Sequence, residues 1–377
     1  VSLNQIREVK VEDLLRRDQV DLISGEISAY LEDKTILVSG GGGSIGSEIC
    51  RQVAKFNPKK IVILDINENT TYFLERDLKN EYPDLDLVSI IGSIRDKNKL
   101  EKVFREYSPD VVFHAAAHKH VPLMETSPEE AVKNNILGTR NLAQTAAEFE
   151  IDRFVLISTD KAVNPTNVMG ASKRAAEMVV QTINKKSKTK FMAVRFGNVL
   201  GSQGSVIPLF KKQIANGGPL TVTHKDITRY FMTIPEASQL VIQAGALGKG
   251  GEVFVLDMGE PVKIMELAED LISLSGLTPY EDIDIDVIGL RPGEKLYEEL
   301  LCDTEDNIAT EHERIFINNL EAVDQEFLDK HLERLAELAE KAAGRDIVAA
   351  LVDLVDTYQP RRDNVKKVDF KKDKKSS

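Results

Sequence analysis

A serine, a threonine, an acid and a base stand in a row at Ser158-Thr159-Asp160-Lys161. They close an apolar run, Arg153-Phe-Val-Leu-Ile, of the kind that forms a buried strand. A carboxyl and an amine side by side at a strand end can exchange protons with neighbouring atoms of a substrate. Eight residues after Lys161 the chain reads Met169-Gly-Ala-Ser-Lys173. Positions 169 and 173 are four apart and share one face of a helix. Read alone, Asp160 and Lys161 also fit a surface ion pair, and Met169 fits core packing.

A second constellation is built for phosphate. Gly40, Gly42, Gly43, Ser44, Ile45 and Gly46 join an apolar strand, Thr35–Ser39, to a helix starting near Ser44. Glycines there permit a tight turn and let the backbone approach a pyrophosphate, whose charge the helix N-terminus meets. The next strand ends in Asp65, 19 residues after Gly46. A carboxylate at that place accepts ribose hydroxyls and repels a 2′-phosphate, so the pattern favours NAD over NADP. Asn67 follows Asp65. Ser93 and Ile94 follow a weaker strand, where an adenine ring would lie. Ala115 and Ala116 leave room for a flat cofactor across the strand ends.

These residues need a scaffold. Apolar runs predict strands at 35–39, 60–65, 85–91, 111–115, 153–158 and 191–195. Helical patterns at 71–81, 96–106, 128–149 and 170–185 separate them. The alternation predicts an α/β fold, a Rossmann-type doubly wound parallel sheet over residues 33–200. A strand at 252–257 completes it, within about 230–257. Glycines and prolines break the rhythm after residue 200. Residues 201–229 and 258–320 read as a smaller mixed substrate-covering region, with a helix at 264–275. Residues 322–358 read as one or two amphipathic helices, within a C-terminal stretch 321–360. Residues 1–32 read as a helical or irregular lead-in.

Several blocks carry a family resemblance: SGGGGSIGSE, HAAAHKHVPLME, STDKAVNPTNVMGASK, RFGNVLGSQGSVIP, TRYFMT and RPGEK. Together they resemble the extended short-chain dehydrogenase/reductase superfamily. More narrowly, they resemble its polysaccharide-biosynthesis dehydratases that act on UDP-N-acetylglucosamine. The match covers about residues 33–320. One departure matters. The superfamily places a tyrosine where Met169 stands, and a thioether carries no proton. Methionine there resembles the large branch, whose members carry an N-terminal membrane region and keep the sugar's C5 configuration.

The resemblance implies a 4,6-dehydration with a tightly bound NAD: oxidation at C4, loss of water across C5 and C6, and return of the hydride to C6. It makes Asp160 the acid at the C6 hydroxyl and Lys161 the base at C5, which requires a depressed lysine pKa. Thr159, relayed to Asp160 or water, is the candidate to replace the tyrosine. Lys173 would bind the nicotinamide ribose. Lys119 falls where cofactor and sugar meet. Arg229 and Arg291 match diphosphate-binding blocks, since a planar guanidinium suits that group. Asn198, Val206 and Pro208 resemble the nucleotide loop, and Glu294 a ribose or donor contact.

Composition bounds the rest. The net charge of −12 argues against nucleic-acid binding, which needs a basic face. Residues 361–377 hold eight basic against three acidic residues and read as a solvated, disordered tail. Cys50 and Cys302 are too few for a disulfide framework and fit a reducing, cytoplasmic setting. His114, His118 and His120 lack a carboxylate or thiolate at ligand spacing, so no metal is expected. No apolar run reaches membrane-spanning length. The start at Val1 suggests a piece of something longer, whose catalytic part would lie on the cytoplasmic face of a membrane. The superfamily pairs two subunits through helices like 128–149 and 170–185, so a homo-oligomer is expected. The rival readings are a UDP-sugar 4-epimerase, which has no use for Asp160-Lys161, and a non-catalytic NAD-binding protein, which Met169 would suit.

Overall fold

The structure is a computed structural model, and it describes residues 24–300, 307–318, 320 and 323–360. Most of the lead-in, Cys302 and the basic tail lie outside the described residues. Six strands follow the expected rhythm: β1 (Thr35–Ser39), β2 (Lys60–Asp65), β3 (Leu87–Ile91), β4 (Val111–His114), β5 (Arg153–Ile157) and β6 (Lys190–Arg195). They pair in parallel in the order β3-β2-β1-β4-β5-β6. Val38 of β1 sits in register with Ile63 of β2 on one side and Phe113 of β4 on the other. Strand order reverses between β1 and β4, and ligands of doubly wound sheets bind beyond the strand ends at such a reversal. The fold is α/β with a Rossmann-like sheet of the extended short-chain dehydrogenase/reductase type.

Side chains alternate across the sheet with period two. Ile36, Val38, Ile63 and Phe113 enter one core cluster, while Leu37, Val62, Leu64 and Val112 enter another on the opposite face. Both faces are covered, so the strands read as unbroken apolar runs. The lead-in ends in a helix, α1 (Ser24–Leu31), whose Ile27 and Leu31 are fully buried and whose Tyr30 hydroxyl donates to the Ile242 carbonyl at 2.6 Å.

Val253–Leu256 extends the sheet in parallel beside β6. Ile315–Asn318 and Asn307–Ala309 then add antiparallel strands, although the sequence placed that stretch in the sugar-nucleotide region. The region after 200 is more regular than its glycines suggested. Helices Val206–Ala215 and Ile234–Leu247 were not expected from sequence. The second starts with a capping box between Thr233 and Glu236, which satisfies otherwise orphaned amides. Phe210, Leu220, Ile227, Leu267 and Leu271 form a separate small core there.

The helix expected at 128–149 is three pieces: Pro128–Ala131, a π-helical stretch Val132–Gly138 and Thr139–Glu148. π-stretches inside helices mark places where a side chain takes part in local bonding. Here Asn135 donates to the His118 carbonyl at 2.9 Å and to Ser172 Oγ at 3.0 Å. The long helix Val168–Asn184 begins on Asn167, whose side chain accepts from the Gly170 amide. Its Ala176 and Val180 face the sheet; Ala171, Ala175 and Met178 meet Leu332, Leu335 and Leu351 of two C-terminal helices, Gln325–Glu340 and Gly344–Leu354. The helices expected to pair subunits thus carry the chain's own C-terminal pair on their outer side. No helix among the described residues is long and apolar enough to cross a membrane.

Candidate active site

A cleft of about 620 Å³ opens at the strand reversal. Its floor is the glycine loop between β1 and α2 (Ser44–Ala54). Gly40 has φ +72°, and a Cβ there would meet the Ala116 amide nitrogen at 2.5 Å. A Cβ on Gly46 would meet the Gly40 carbonyl oxygen at 2.1 Å. The helix N-cap is Gly43, which offers no capping side chain, so the first-turn amides of α2 face the cleft. That is an anion site by construction. Asp65 sets the loop's shape: Oδ2 accepts from the Gly42 amide and Oδ1 from the Asn67 amide, both at 2.8 Å. Each carboxylate oxygen keeps a lone pair for ribose hydroxyls. The donor set fits a dinucleotide.

Gly46→Ala should therefore abolish dinucleotide binding, because backbone rather than a movable side chain blocks the new methyl group. The ratio of absorbance at 260 and 280 nm of the purified variant tests this; a ratio unchanged from wild type would refute it.

Across the cleft, Gln203 N donates to Ser44 Oγ at 3.2 Å, so the 201–205 loop straps onto the phosphate end of α2. Gly204, at φ +71°, leaves room for the His120 ring, which a Cβ would meet at 2.6 Å.

Under the cleft lies a buried chain of hydrogen bonds. Thr139 Oγ1 donates to the Asn135 carbonyl at 2.6 Å, so His114 Nε2 donates to Thr139 Oγ1 at 2.9 Å, and Ser39 Oγ donates to His114 Nδ1 at 2.7 Å. Burial, aided by the nearby Lys173 charge, pushes the imidazole down to about 3. His118 meets Arg95 and His120 meets Gly204, so the three histidines do not converge.

The reacting corner forms where β5 ends. Thr159 lines the cleft and donates to Asp160 Oδ1 at 2.8 Å. Lys161 Nζ donates to the same oxygen at 3.0 Å and to Asn198 Oδ1 at 3.3 Å. Asp160 itself is 1% exposed and sits behind Thr159 and Lys161, with Oδ2 unpartnered among the described residues. The sequence reading required a depressed Lys161 pKa. Burial does pull this amine down, but Asp160 and Glu298 outweigh it and hold it above the ordinary lysine value. Lys173 behaves differently. Burial brings it down to about 8 against the pull of Glu177, and its Nζ donates to the Ile157 carbonyl at 2.6 Å. Met169 is buried, touches the cleft and also belongs to a core cluster.

The cleft brings together most of the expected residues: Gly40, Gly43, Ser44, Ile45, Gly46, Ala115, Lys119, Thr159, Lys161, Met169, Lys173, Asn198, Val206, Arg229, Arg291 and Glu294. Gly42, Asp65 and Asn67 act from behind the loop. Asp160, Ser93, Ile94, Ala116 and Pro208 do not line it. Ile94 is buried in the core under the sheet. Pro208 is exposed because Val206 and Leu209, three apart, take the cleft side of their helix. Arg229 is less available than its type suggested. Its Nη groups donate to the carbonyls of Thr228, Leu296 and Lys295 and to Glu294 Oε1. Arg291 lies exposed at the rim. Two residues were missed from sequence. Glu177 receives Ser158 Oγ at 2.5 Å beneath the corner, and Glu298 faces Lys161 at 3.5 Å.

The chain is 59% identical over 318 residues to the capsular polysaccharide biosynthesis protein CapD of Staphylococcus aureus, covering 84% of this chain. It spans 53% of that relative's length. It is 33% identical to a UDP-N-acetylglucosamine 4,6-dehydratase (inverting) of Campylobacter jejuni, over 82% of this chain and 90% of that one. It is 35% identical to a UDP-glucose 4-epimerase of Rickettsia bellii, over 72% and 79%. Among solved structures it resembles Pen of Bacillus thuringiensis with a TM-score of 0.71 and 33% identity, covering 83% of this chain and 99% of that one. Residues 36–320 match the polysaccharide biosynthesis protein family, and the chain belongs to it.

Proposed function

We propose that this chain is the catalytic part of a UDP-N-acetylglucosamine 4,6-dehydratase that works on a tightly held NAD and retains the C5 configuration. The observation that carries the reading is the pair Thr159 and Lys161 on the wall of a dinucleotide cleft, joined behind it by the Asp160 carboxylate. When bound, the nicotinamide supplies an acceptor for the C4 hydride, later returned to C6.

The protein's own groups handle the protons. Thr159 stands where the missing tyrosine's work is needed. It takes the proton of a sugar 4-hydroxyl as its own passes to Asp160 Oδ1 along the existing hydrogen bond. Asp160 then holds a proton that returns through the Thr159 hydroxyl to the departing 6-hydroxyl as water forms. Protonation of Asp160 removes one of the two negative charges that hold the Lys161 amine protonated. Lys161 in its neutral form then removes the C5 proton, which is acidic only beside a C4 ketone, and gives a proton back to C5 as the hydride reaches C6. Lys173 sits beneath the corner as a cation that favours a 4-alkoxide. The first-turn amides of α2 hold the dinucleotide's pyrophosphate, and Asp65 favours NAD through its ribose. Among the described residues, Lys119 and Arg291 are cleft cations with no side-chain partner, placed to meet the sugar nucleotide's diphosphate. Arg229 shapes that site by tying down the 291–298 loop.

A UDP-sugar 4-epimerase, the activity named for the Rickettsia relative, would use the same cleft but has no work for an acid and a base at C5 and C6. Proton NMR separates the two. The protein is incubated with UDP-N-acetylglucosamine in deuterated water without added cofactor. An upfield C6 methyl signal with deuterium at C5 is the expected result. Formation of UDP-N-acetylgalactosamine, or no change with cofactor still bound, would overturn the reading.

A further inference from the structure

Glu298 is a buried carboxylate with an incomplete set of partners. Its side chain is 3% exposed, in a loop seven residues after Arg291. Oε1 lies 3.5 Å from Lys161 Nζ and 3.7 Å from Arg229 Nε. Oε2 is buried and has no hydrogen-bond partner among the described residues. A carboxylate in such a place carries a heavy desolvation cost unless cations compensate it. Glu298 caps no helix, and its recorded partners are the two cations at the reacting corner. An apolar side chain would fill the same volume at lower cost, so the negative charge itself has work to do.

The Lys161 ammonium has three donors, and three oxygens surround it: Asp160 Oδ1 at 3.0 Å, Asn198 Oδ1 at 3.3 Å and Glu298 Oε1 at 3.5 Å. Asp160 and Asn198 come from the part of the chain before residue 200. Glu298 is the arm from the substrate-covering half, which therefore grips the amine from the other side of the cleft. We propose that Glu298 is a positioning residue for the dehydration, holding the Lys161 amine at the C5 side of the cleft and setting the pH at which that amine is free to take a proton. The inference rests on the dehydratase reading above and adds a third group to its acid–base pair. Glu298 itself neither gives nor takes the proton; the C5–H electron pair goes to the ketone and the proton to Lys161 Nζ.

The charges around Lys161 fix the direction. Asp160 and Glu298 raise its proton affinity. Burial and the Arg229 guanidinium lower it, while Glu294 lies on the far side of Arg229. Lys119, Lys173, Arg291 and Lys295 line the same cleft and add positive charge. Removing the Glu298 charge leaves burial and these cations less opposed, and the amine then deprotonates at lower pH.

Two measurements on the cofactor-loaded protein test this. The first is the pH dependence of Lys161 acetylation by acetic anhydride, followed by peptide mass spectrometry; it needs no turnover. In Glu298→Gln the titration should move to lower pH than in wild type, and Glu298→Asp should restore most of the difference. The second is the pH profile of kcat, whose ascending limb should move the same way, with KM little changed. A Lys161 titration that stays in place in both variants overturns the proposal, whatever turnover does. A titration that moves while the kcat limb stays removes Lys161 from the proton step, which sinks the base assignment instead. Retained cofactor absorbance in Glu298→Asp keeps the test valid if the glutamine variant fails to fold.

Discussion

Asp160→Asn lowers turnover of UDP-N-acetylglucosamine by about 10²–10⁴ while the bound dinucleotide stays in place, the range expected for loss of a general acid. The substitution is nearly isosteric. Its amide oxygen can still accept from Thr159 and Lys161, which now share Asp160 Oδ1 at 2.8 and 3.0 Å. What it cannot do is hold a proton between the 4-hydroxyl and the departing 6-hydroxyl. Thr159→Val should lose turnover to a similar degree, because it cuts the same relay at the cleft side. Steady-state rates with the 260 nm cofactor absorbance as control measure both effects. Near-normal turnover in Asp160→Asn would take Asp160 out of the proton path and leave it as a counter-ion for Lys161.

The residues of this corner were legible in sequence because local order carries them. β5, the loop after it and the helix from Val168 are consecutive, so Thr159, Asp160, Lys161, Met169 and Lys173 reach one place without any long-range contact. The glycine loop and Asp65 were legible for the same reason, being neighbours across β1 and β2. The strand runs were clear because both sheet faces are covered, which leaves no polar alternation to confuse them. Long-range pairing hid the rest. Glu298 meets a lysine 137 residues away, and nothing in RPGEK says which wall its loop will touch. Arg229 looked like a phosphate ligand by type. Its fate depends on the carbonyls of Leu296 and Lys295, which periodicity cannot see. The break in the helix at Val132–Gly138 was hidden too, since its apolar pattern is that of an ordinary helix while the cause is Asn135 bonding to His118 and Ser172. The Lys161 proton affinity was misjudged on the same ground: burial was foreseeable, a second carboxylate was not.

Glu177→Gln should destabilise the fold by about 3–5 kcal/mol, the cost of breaking a buried ion pair by removing one partner. Glu177 is fully buried and receives Ser158 Oγ, Arg195 Nε at 2.8 Å and Nη2 at 2.7 Å, and Arg174 Nη1 at 3.1 Å. Burial would raise its pKa, but Arg195, Arg174 and the Ser158 hydroxyl overturn that and hold it at about 2 against the ordinary 4.5. In the window between those values the unfolded chain binds the proton and the folded one does not. Stability therefore falls as pH drops from about 4.5 to about 2, by an amount on the order of 3 kcal/mol for this group. Urea unfolding of wild type and variant at neutral pH and near pH 3 measures both effects. The variant should be weaker at neutral pH and flatter in its response to acid. A variant as stable as wild type at neutral pH would show that Arg195 and Arg174 find other partners. Replacing Glu177 and Arg195 together by Leu and Met should recover part of the loss, because Arg174, at 14% side-chain exposure, can turn to solvent. It should not recover turnover. Ser158 would lose the partner that fixes the end of β5, and Thr159, one residue on, would no longer be held over the cleft. A double variant that regains stability without activity would assign Glu177 to the placement of the reacting corner as well as to the fold.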